Sequence, residues 1–344
     1  MKDLTKGNET TQILLFALPM LVGNVFQQFY NMVDSWVVGQ FVGTTALAAV
    51  GASFPILFLM IALVMGFSMG ANVLIAQYYG AKDLQRVRAV IDTTYVVIFW
   101  MGIVLTAVGL LFARSILILL RVPADVMPQA LIYLRIIFSG MFFTFGYNGV
   151  GAILRGLGDS MTPLYMLIAA TLLNIILDLV SVLVLHMGVA GVAWATIIAQ
   201  GLSFIGSIIY LNKTHEFLKT DFRHLHFDKE LFFLSLKIGL PSGIQQSLVA
   251  MGMMFMNAVV NGFGAIVMAG FSAASRIDSF VGMPSMNISM ALSTFVGQNL
   301  GAGKPERVKK GYRSALLIAM SITLVLMVVL LVFGRSLVAI FTSD

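Results

Sequence analysis

Nine stretches of this 344-residue chain are longer and more apolar than a water-soluble core can absorb. They lie near 13–38, 46–75, 92–118, 128–153, 161–184, 188–211, 235–261, 266–294 and 314–341. Each reaches the roughly 20 residues that a helix needs to cross about 30 Å of hydrocarbon. With 59% of its residues apolar and 10% charged, the chain lies far outside the usual mixture of a soluble domain. Lipid offers the backbone no hydrogen-bond partner, so each segment must satisfy its own N–H and C=O groups. The Gly- and Leu-rich runs lack the short alternation of a barrel, which leaves helices. The expected fold class is therefore all-α, a polytopic membrane protein.

The links between these stretches set an orientation. Lys2 and Lys6 precede the first helix; Lys82, Arg86 and Arg88 follow the second; Arg155 follows the fourth. Lys213, Lys219, Arg223 and Lys229 follow the sixth, and Lys304, Arg307, Lys309, Lys310 and Arg313 follow the eighth. The opposite links offer Arg114, Arg121 and Arg335. The basic links and the amino terminus are thus expected on the cytoplasmic side. The apolar run after Thr11 outlasts the core of a signal peptide and is read as the first span. The net positive charge lies in short links rather than along one face, which points to lipid headgroups and not to nucleic acid. Cysteine is absent, so a disulfide framework, a thiolate metal site and a cysteine nucleophile are excluded. His224 and His226 have H-x-H spacing beside His215, but no neighbouring pattern completes a metal shell.

The chain also resembles itself. FALPMLVGNVFQQFYNMVDSWVVGQFVG, from Phe16, lies over IGLPSGIQQSLVAMGMMFMNAVVNGFG, from Ile238, with Pro19 over Pro241. AQYYGAKDLQRV from Ala76 matches GQNLGAGKPERV from Gly297, and LFARSILILL from Leu111 matches VFGRSLVAIF from Val332. Order among Pro, Gly, Gln, Arg and Ser is harder to reach by chance than apolar content, so a duplication is expected. An even helix count in the first unit makes the two units parallel, related by an axis along the membrane normal. The expected organisation is a six-helix lobe over 1–211, a cytoplasmic linker over 212–232 and a partial second lobe of three helices over 233–344. Asp344 falls opposite Pro123, and on this reading the chain is a fragment of a longer one.

Polar residues inside the spans are the candidates for function. Asp34 lies in the first helix and Asp178 in the fifth. Burying either as a bare carboxylate is expensive, so each must face a polar cavity, bind a proton or meet a cation. Asn174 shares a helix face with Asp178, Asn31 is within one turn of Asp34, and Thr196 adds a hydroxyl from the sixth helix. Together these oxygen donors suit an exchange of H⁺ with a guest, or a Na⁺ ion; for each the alternative is a packing contact between helices. Gln27, Gln28, Gln245 and Gln246 can present hydrogen-bonding groups to a guest, within a Phe- and Met-rich surround that tolerates varied amphipathic cargo. Arg276 and Asp278, two apart, point to different faces; lining a cleft and meeting other charges are the alternatives.

LPMLVGNVFQQFYNMVDSWVVGQ in the first helix, NIILD at 174–178, GVAGVAWAT at 188–196, GLPSGIQQS at 239–247 and VGQNLGAGKPERV at 296–308 together resemble the multidrug and toxic compound extrusion transporters, the MATE family. The resemblance covers nearly the whole chain and looks closest to the bacterial DinF-like and archaeal branch. It implies two six-helix bundles, alternating access, and export of organic cationic or amphipathic compounds in exchange for H⁺ or Na⁺. It carries the coupling assignment to Asp34, Asn174, Asp178 and Thr196. Val249 stands where another branch has an acidic coupling residue, which disfavours a second ion site. The resemblance further implies a multi-pass protein of a bacterial or archaeal plasma membrane, monomeric when full length, with organic substrates and lipids as partners. It implies no cofactor, and no metal other than Na⁺ at the coupling site. A lipid-linked precursor flippase and a noncatalytic scaffold or fragment are the alternatives; no nucleophile–base pattern, zinc helix or phosphate loop suggests an enzyme.

Because native cysteines are absent, topology is directly testable. A membrane-impermeant maleimide should label Lys6→Cys only from the cytoplasmic side and Arg121→Cys only from outside, and the reverse pattern would invert the assignment.

Overall fold

The computed structural model describes residues 2–214, 219, 224–263 and 265–339. Among them are ten α-helices: α1 (Glu9–Val37), α2 (Thr44–Gly80), α3 (Leu84–Leu119), α4 (Met127–Ser139), α5 (Met141–Gly156), α6 (Met161–Leu179), α7 (Val189–Thr214), α8 (Lys229–Asn261), α9 (Ala265–Gly301) and α10 (Pro305–Ala339). Five-residue π-helical turns continue α1 (Val38–Val42) and α6 (Val180–Val184).

The helices outrun the apolar stretches that reveal them. α3 begins at Leu84, capped by the Asp83 side chain accepting from Arg86 N–H, and not at residue 92. α8 begins at Lys229, where the Asp228 carboxylate accepts from Glu230 and Leu231 N–H. α1 begins at Glu9, with the Asn8 side chain accepting from Thr11 N–H at 3.1 Å. Apolarity marks only the part of a helix that lipid touches, whereas capping marks its end. The linker is correspondingly shorter than 212–232: α7 runs to Thr214, and Asp228 N–H donates to Thr93 Oγ1 of α3 at 3.1 Å. Residues 215–218 and 220–223, including His215, lie outside the described residues.

The single helix expected over 128–153 is broken. α4 and α5 meet at Gly140 with a bend of 50°. A side chain at Gly140 would collide with Ile197 of α7, so the break lets α7 close against the corner. Among the described residues, six helices are long and apolar enough to span a membrane, or seven with the bent pair as one. α8 and α9, at 33 and 37 residues, have spanning length and pack along α2.

α2 is the element on which both halves of the chain are built. Its Gly66 and Gly70 face Gly239 and Gly243 of α8, where a Cβ on Gly66 would stand 3.0 Å from Gly243 Cα and one on Gly70 would strike the Ser235 carbonyl. Farther along, Ala76 and Gly80 face Gly297 and Gly301 of α9, and a Cβ on Gly301 would strike the Gln77 carbonyl. Small residues four apart let helix backbones touch, which is how helices associate where lipid removes the hydrophobic incentive. Of the residues matched by the repeat, Ala76 and Gly297 therefore meet each other in space, and Gly80 and Gly301 each lie against the backbone of the opposite helix.

Polar stitching completes this junction at the end that carries the amino terminus. Leu4 is fully buried, its N–H donating to Gln298 Oε1 at 3.0 Å and its carbonyl accepting from Asn299 Nδ2 at 3.1 Å. Lys304 Nζ donates to Thr5 O, and Arg307 donates to Gly7 O and to Glu9 Oε1 at 3.2 Å. On the other side, Lys2 N–H donates to Gly158 O at 2.8 Å and Gln298 Nε2 to Gly156 O at 3.3 Å. Residues 2–7 thus bridge the α5–α6 turn and the α9–α10 turn.

Gly70→Ala should weaken this packing by about 1–3 kcal/mol, the usual cost of overfilling a close contact. Gly51→Ala, with open space around its Cβ position, should be neutral. Thermal unfolding in detergent checks both, and equal midpoints would count against the close approach.

Candidate functional site

The two intramembrane acids reach one another through α6. Asn174 and Asp178 are both fully buried on the same α6 face, one turn apart, and α6 packs along α1, which carries Asp34. The Asn174 amide satisfies its surroundings in one orientation only. In it, Nδ2 donates to Asp34 Oδ1 at 2.9 Å and to Asp178 Oδ2 at 3.3 Å, while Oδ1 accepts from Thr196 N–H at 3.3 Å. One asparagine therefore bridges both acids and ties them to α7. Thr196 Oγ1 accepts from the Tyr30 hydroxyl at 3.2 Å and donates to Val192 O at 3.0 Å.

The shared amide draws the two carboxylates together, with Asp34 Oδ1 at 2.9 Å and Asp178 Oδ2 at 3.3 Å from the one Asn174 Nδ2. Two carboxylates this close in a low-dielectric interior cannot both remain bare; a proton held between them or a cation must offset the charge. Asp178 Oδ1 and, one α6 turn before Asn174, Thr171 Oγ1 are sealed and lack a partner among the described residues. The donor set consists wholly of hard oxygens apart from the asparagine amide nitrogen, the composition that suits a proton or an alkali cation rather than a soft metal.

Both acids also sit just ahead of the π-helical turns. Val38 N–H is shared between Asp34 O and Ser35 O, and Val180 N–H between Ile176 O and Leu177 O. The wider ring then closes with Gly43 N–H on Val38 O and Leu185 N–H on Val180 O, each at 3.0 Å. Such turns loosen the regular backbone ladder and recur at functional sites.

The other sequence candidates are not gathered here. Asn31 is exposed and its carbonyl takes the Ser35 hydroxyl at 2.8 Å. Gln27 and Gln28 are half-buried on α1. Gln245 is exposed and lines an open apolar recess of about 580 Å³ with Pro241, Ile244, Leu248 and Val249; Gln246 is half-buried. Asp278 is exposed on α9, and the Arg276 side chain lies outside the described residues. What the sequence reading missed are Tyr30 and Thr171. Helical spacing can find both, since Tyr30 is four before Asp34 and Thr171 seven before Asp178.

The MatE family model matches residues 19–180 and 241–344, two segments that open on the paired Pro19 and Pro241. This chain belongs to the MatE (MATE) family. It is 36% identical over 339 residues to the probable multidrug resistance protein YoeA of Bacillus subtilis, covering 96% of this chain and 73% of that one. It is 33% identical over 342 residues to the probable multidrug resistance protein YpnP of the same organism, covering 99% and 76%. An outward-facing structure of a multidrug resistance MATE family transporter of the MOP superfamily superposes with a TM-score of 0.92 at 27% identity, covering 99% of this chain and 76% of that one. The all-α, polytopic MATE fold is thus the fold of this chain, with six helices of spanning composition among the described residues, or seven with the bent pair.

Within this MATE fold the bridge through Asn174 gives a specific expectation. Asn174→Leu removes the shared donor while both acids remain, and should cut gradient-driven counterflow at least about tenfold with membrane insertion unchanged. Flux measured in vesicles at matched protein density decides it.

Proposed function

We propose that this chain works as a secondary active antiporter that exports organic cationic or amphipathic compounds in exchange for H⁺ or Na⁺. The observation that carries the reading is the pair of acids, Asp178 fully buried and Asp34 half-buried, bridged by Asn174. Their combined charge must be neutralised by something mobile, and whatever neutralises it alters how α1, α6 and α7 hold together. Loading the site with a proton or Na⁺ favours one packing of these helices, and release favours another, which is the differential binding that a coupled conformational change requires. Asp34, Asn174, Asp178 and Thr196 are the coupling residues on this reading, with Tyr30 positioning Thr196.

The relatives, probable multidrug resistance proteins of Bacillus subtilis, support small organic cargo and a bacterial plasma membrane. The lobes are read as 1–211 and 233–344 with the amino terminus cytoplasmic; the basic links and the two matched family segments favour this arrangement. The DinF-like branch is favoured by the acid-and-asparagine set of the first lobe and by Val249 in the second. Acids at the deepest polar positions favour cationic or neutral cargo over the anionic headgroup that a precursor flippase would carry.

Asp34→Asn and Asp178→Asn should each abolish coupled efflux from proteoliposomes while leaving insertion intact. Proton and sodium gradients imposed separately on the unsubstituted protein identify the driving ion. Undiminished cargo gradients in both variants would remove the mechanism.

A further inference from the structure

A cavity apart from the acid site lies at the end of the bundle that carries the amino terminus. It encloses about 410 Å³ between the start of α6 and the end of α7, and Lys2, Asp159, Ser160, Tyr165 and Tyr210 are part of its wall. Ser160 is the N-cap residue of α6, yet its side chain makes no capping hydrogen bond. Asp159 caps the helix instead. Its Oδ1 accepts from Met161 N–H at 3.1 Å and Thr162 N–H at 3.0 Å, and its Oδ2 accepts from the Thr162 hydroxyl at 2.7 Å. Ser160 is 6% exposed, so its hydroxyl stays on the cavity wall with no partner among the described residues. A buried hydroxyl in that position is costly unless something in the cavity accepts from it or donates to it.

The cavity also holds two opposite charges apart. Lys2 and Asp159 both border it, and among the described residues neither forms an ion pair with the other or with any third group. The backbone of Lys2 is fixed there, its N–H donating to Gly158 O at 2.8 Å; Gly158 has a φ of 82°, and a Cβ on it would strike Lys2 O. Asp159 Oδ2 has a single donor, and a carboxylate oxygen can accept a second. An ammonium and a carboxylate separated across one space match a guest that carries a phosphate and an amine. Farther along the same two helices the surface is apolar: Leu172 and Ile176 of α6 and Leu202 and Ile205 of α7 are exposed, and α6 packs along α7. Exposed Tyr165 and half-buried Tyr210 stand between the polar cavity and this apolar surface, the position that amphipathic rings take at a membrane boundary.

We propose that this cavity is a headgroup site for a phospholipid that carries a primary amine, in the leaflet on the amino-terminal side. Lys2 and the Ser160 hydroxyl donate to the phosphate, Asp159 accepts from the ammonium, and the acyl chains lie on the exposed faces of α6 and α7. Because Lys2 belongs to the segment that bridges the α5–α6 and α9–α10 turns, the bound lipid also holds one end of that bridge. The site is separate from the coupling acids, so it stands or falls independently of the antiport reading.

Native mass spectrometry of the full chain from detergent, with dioleoyl lipids added one at a time, tests it. Phosphatidylethanolamine should bind at least about tenfold tighter than phosphatidylcholine, whose cation has no N–H, and than phosphatidylglycerol, which has no cation. Lys2→Gln should weaken phosphatidylethanolamine by about tenfold or more, and Ser160→Ala by about threefold to tenfold. Lys6→Gln removes the same charge from a side chain that is 79% exposed and should change the affinity by less than about twofold. Asp159→Asn keeps an acceptor for the cap and should erase the preference over phosphatidylcholine, whose retained binding shows that the variant is folded. If that variant does not fold, Ser160→Ala decides, because its hydroxyl bonds nothing in the fold. Millimolar phosphoethanolamine should leave the lipid in place; displacement would make a soluble phosphate ester the ligand and overturn the lipid assignment. Equal binding of the three lipids overturns it too, as do an unaffected Ser160→Ala and a Lys6→Gln that weakens binding as much as Lys2→Gln.

Discussion

Helix α2 can touch α8 and α9 backbone to backbone only because glycine or alanine stands at each crossing. Gly66 and Gly70 meet Gly239 and Gly243, Ala76 meets Gly297, and Gly80 and Gly301 lie against the Gln298 and Gln77 backbones. In lipid, apolar side chains gain nothing by leaving one another for the solvent, so close van der Waals approach and interhelical hydrogen bonds must supply the attraction. The rest follows from where α2 is pinned. The α9 contact brings Gln298 and Asn299 to the amino-terminal end, where they hold Leu4, and through Gly156 they reach the α5–α6 turn. Lys304 and Arg307, which read in sequence as topological charges, also fasten residues 5 to 9.

The same absence of water governs the polar interior. A polar group in the bundle must find a protein partner, a mobile ion or a guest. Thr106 is satisfied by Phe138 O at 2.8 Å and Ser203 by Met166 O at 3.2 Å, which is ordinary helix packing. Asn287 meets Asn24 across α1 and α9 at 3.1 Å. Asp34 and Asp178 instead share a single amide and leave one carboxylate oxygen unpartnered. Arg155 leaves its Nε unpartnered.

Much of this was legible in the residues. The apolar runs located the helices, since spanning length and composition are read directly from sequence, but they missed the helix ends, which caps decide. The break at Gly140 escaped notice because an uninterrupted apolar run does not reveal that Ile197 needs the space. Asp34, Asn174, Asp178 and Thr196 stood out as polar residues in apolar surroundings, and helical spacing already put Asn174 and Asp178 on one face. Gln27, Gln28, Gln245 and Gln246 stood out by the same criterion without joining that site, because polarity alone does not say which way a side chain faces.

The sequence by itself determined that this chain must cross a membrane as helices, that its two halves repeat, and that a few acids would have to be neutralised inside it. Those conclusions depend on composition, order and spacing along one chain. Only the tertiary structure decided that one asparagine bridges both acids and that the Tyr30 hydroxyl is held on Thr196 beside them. These depend on contacts between helices far apart in sequence, and such contacts are fixed by how closely whole helices can approach, a property that no local pattern encodes.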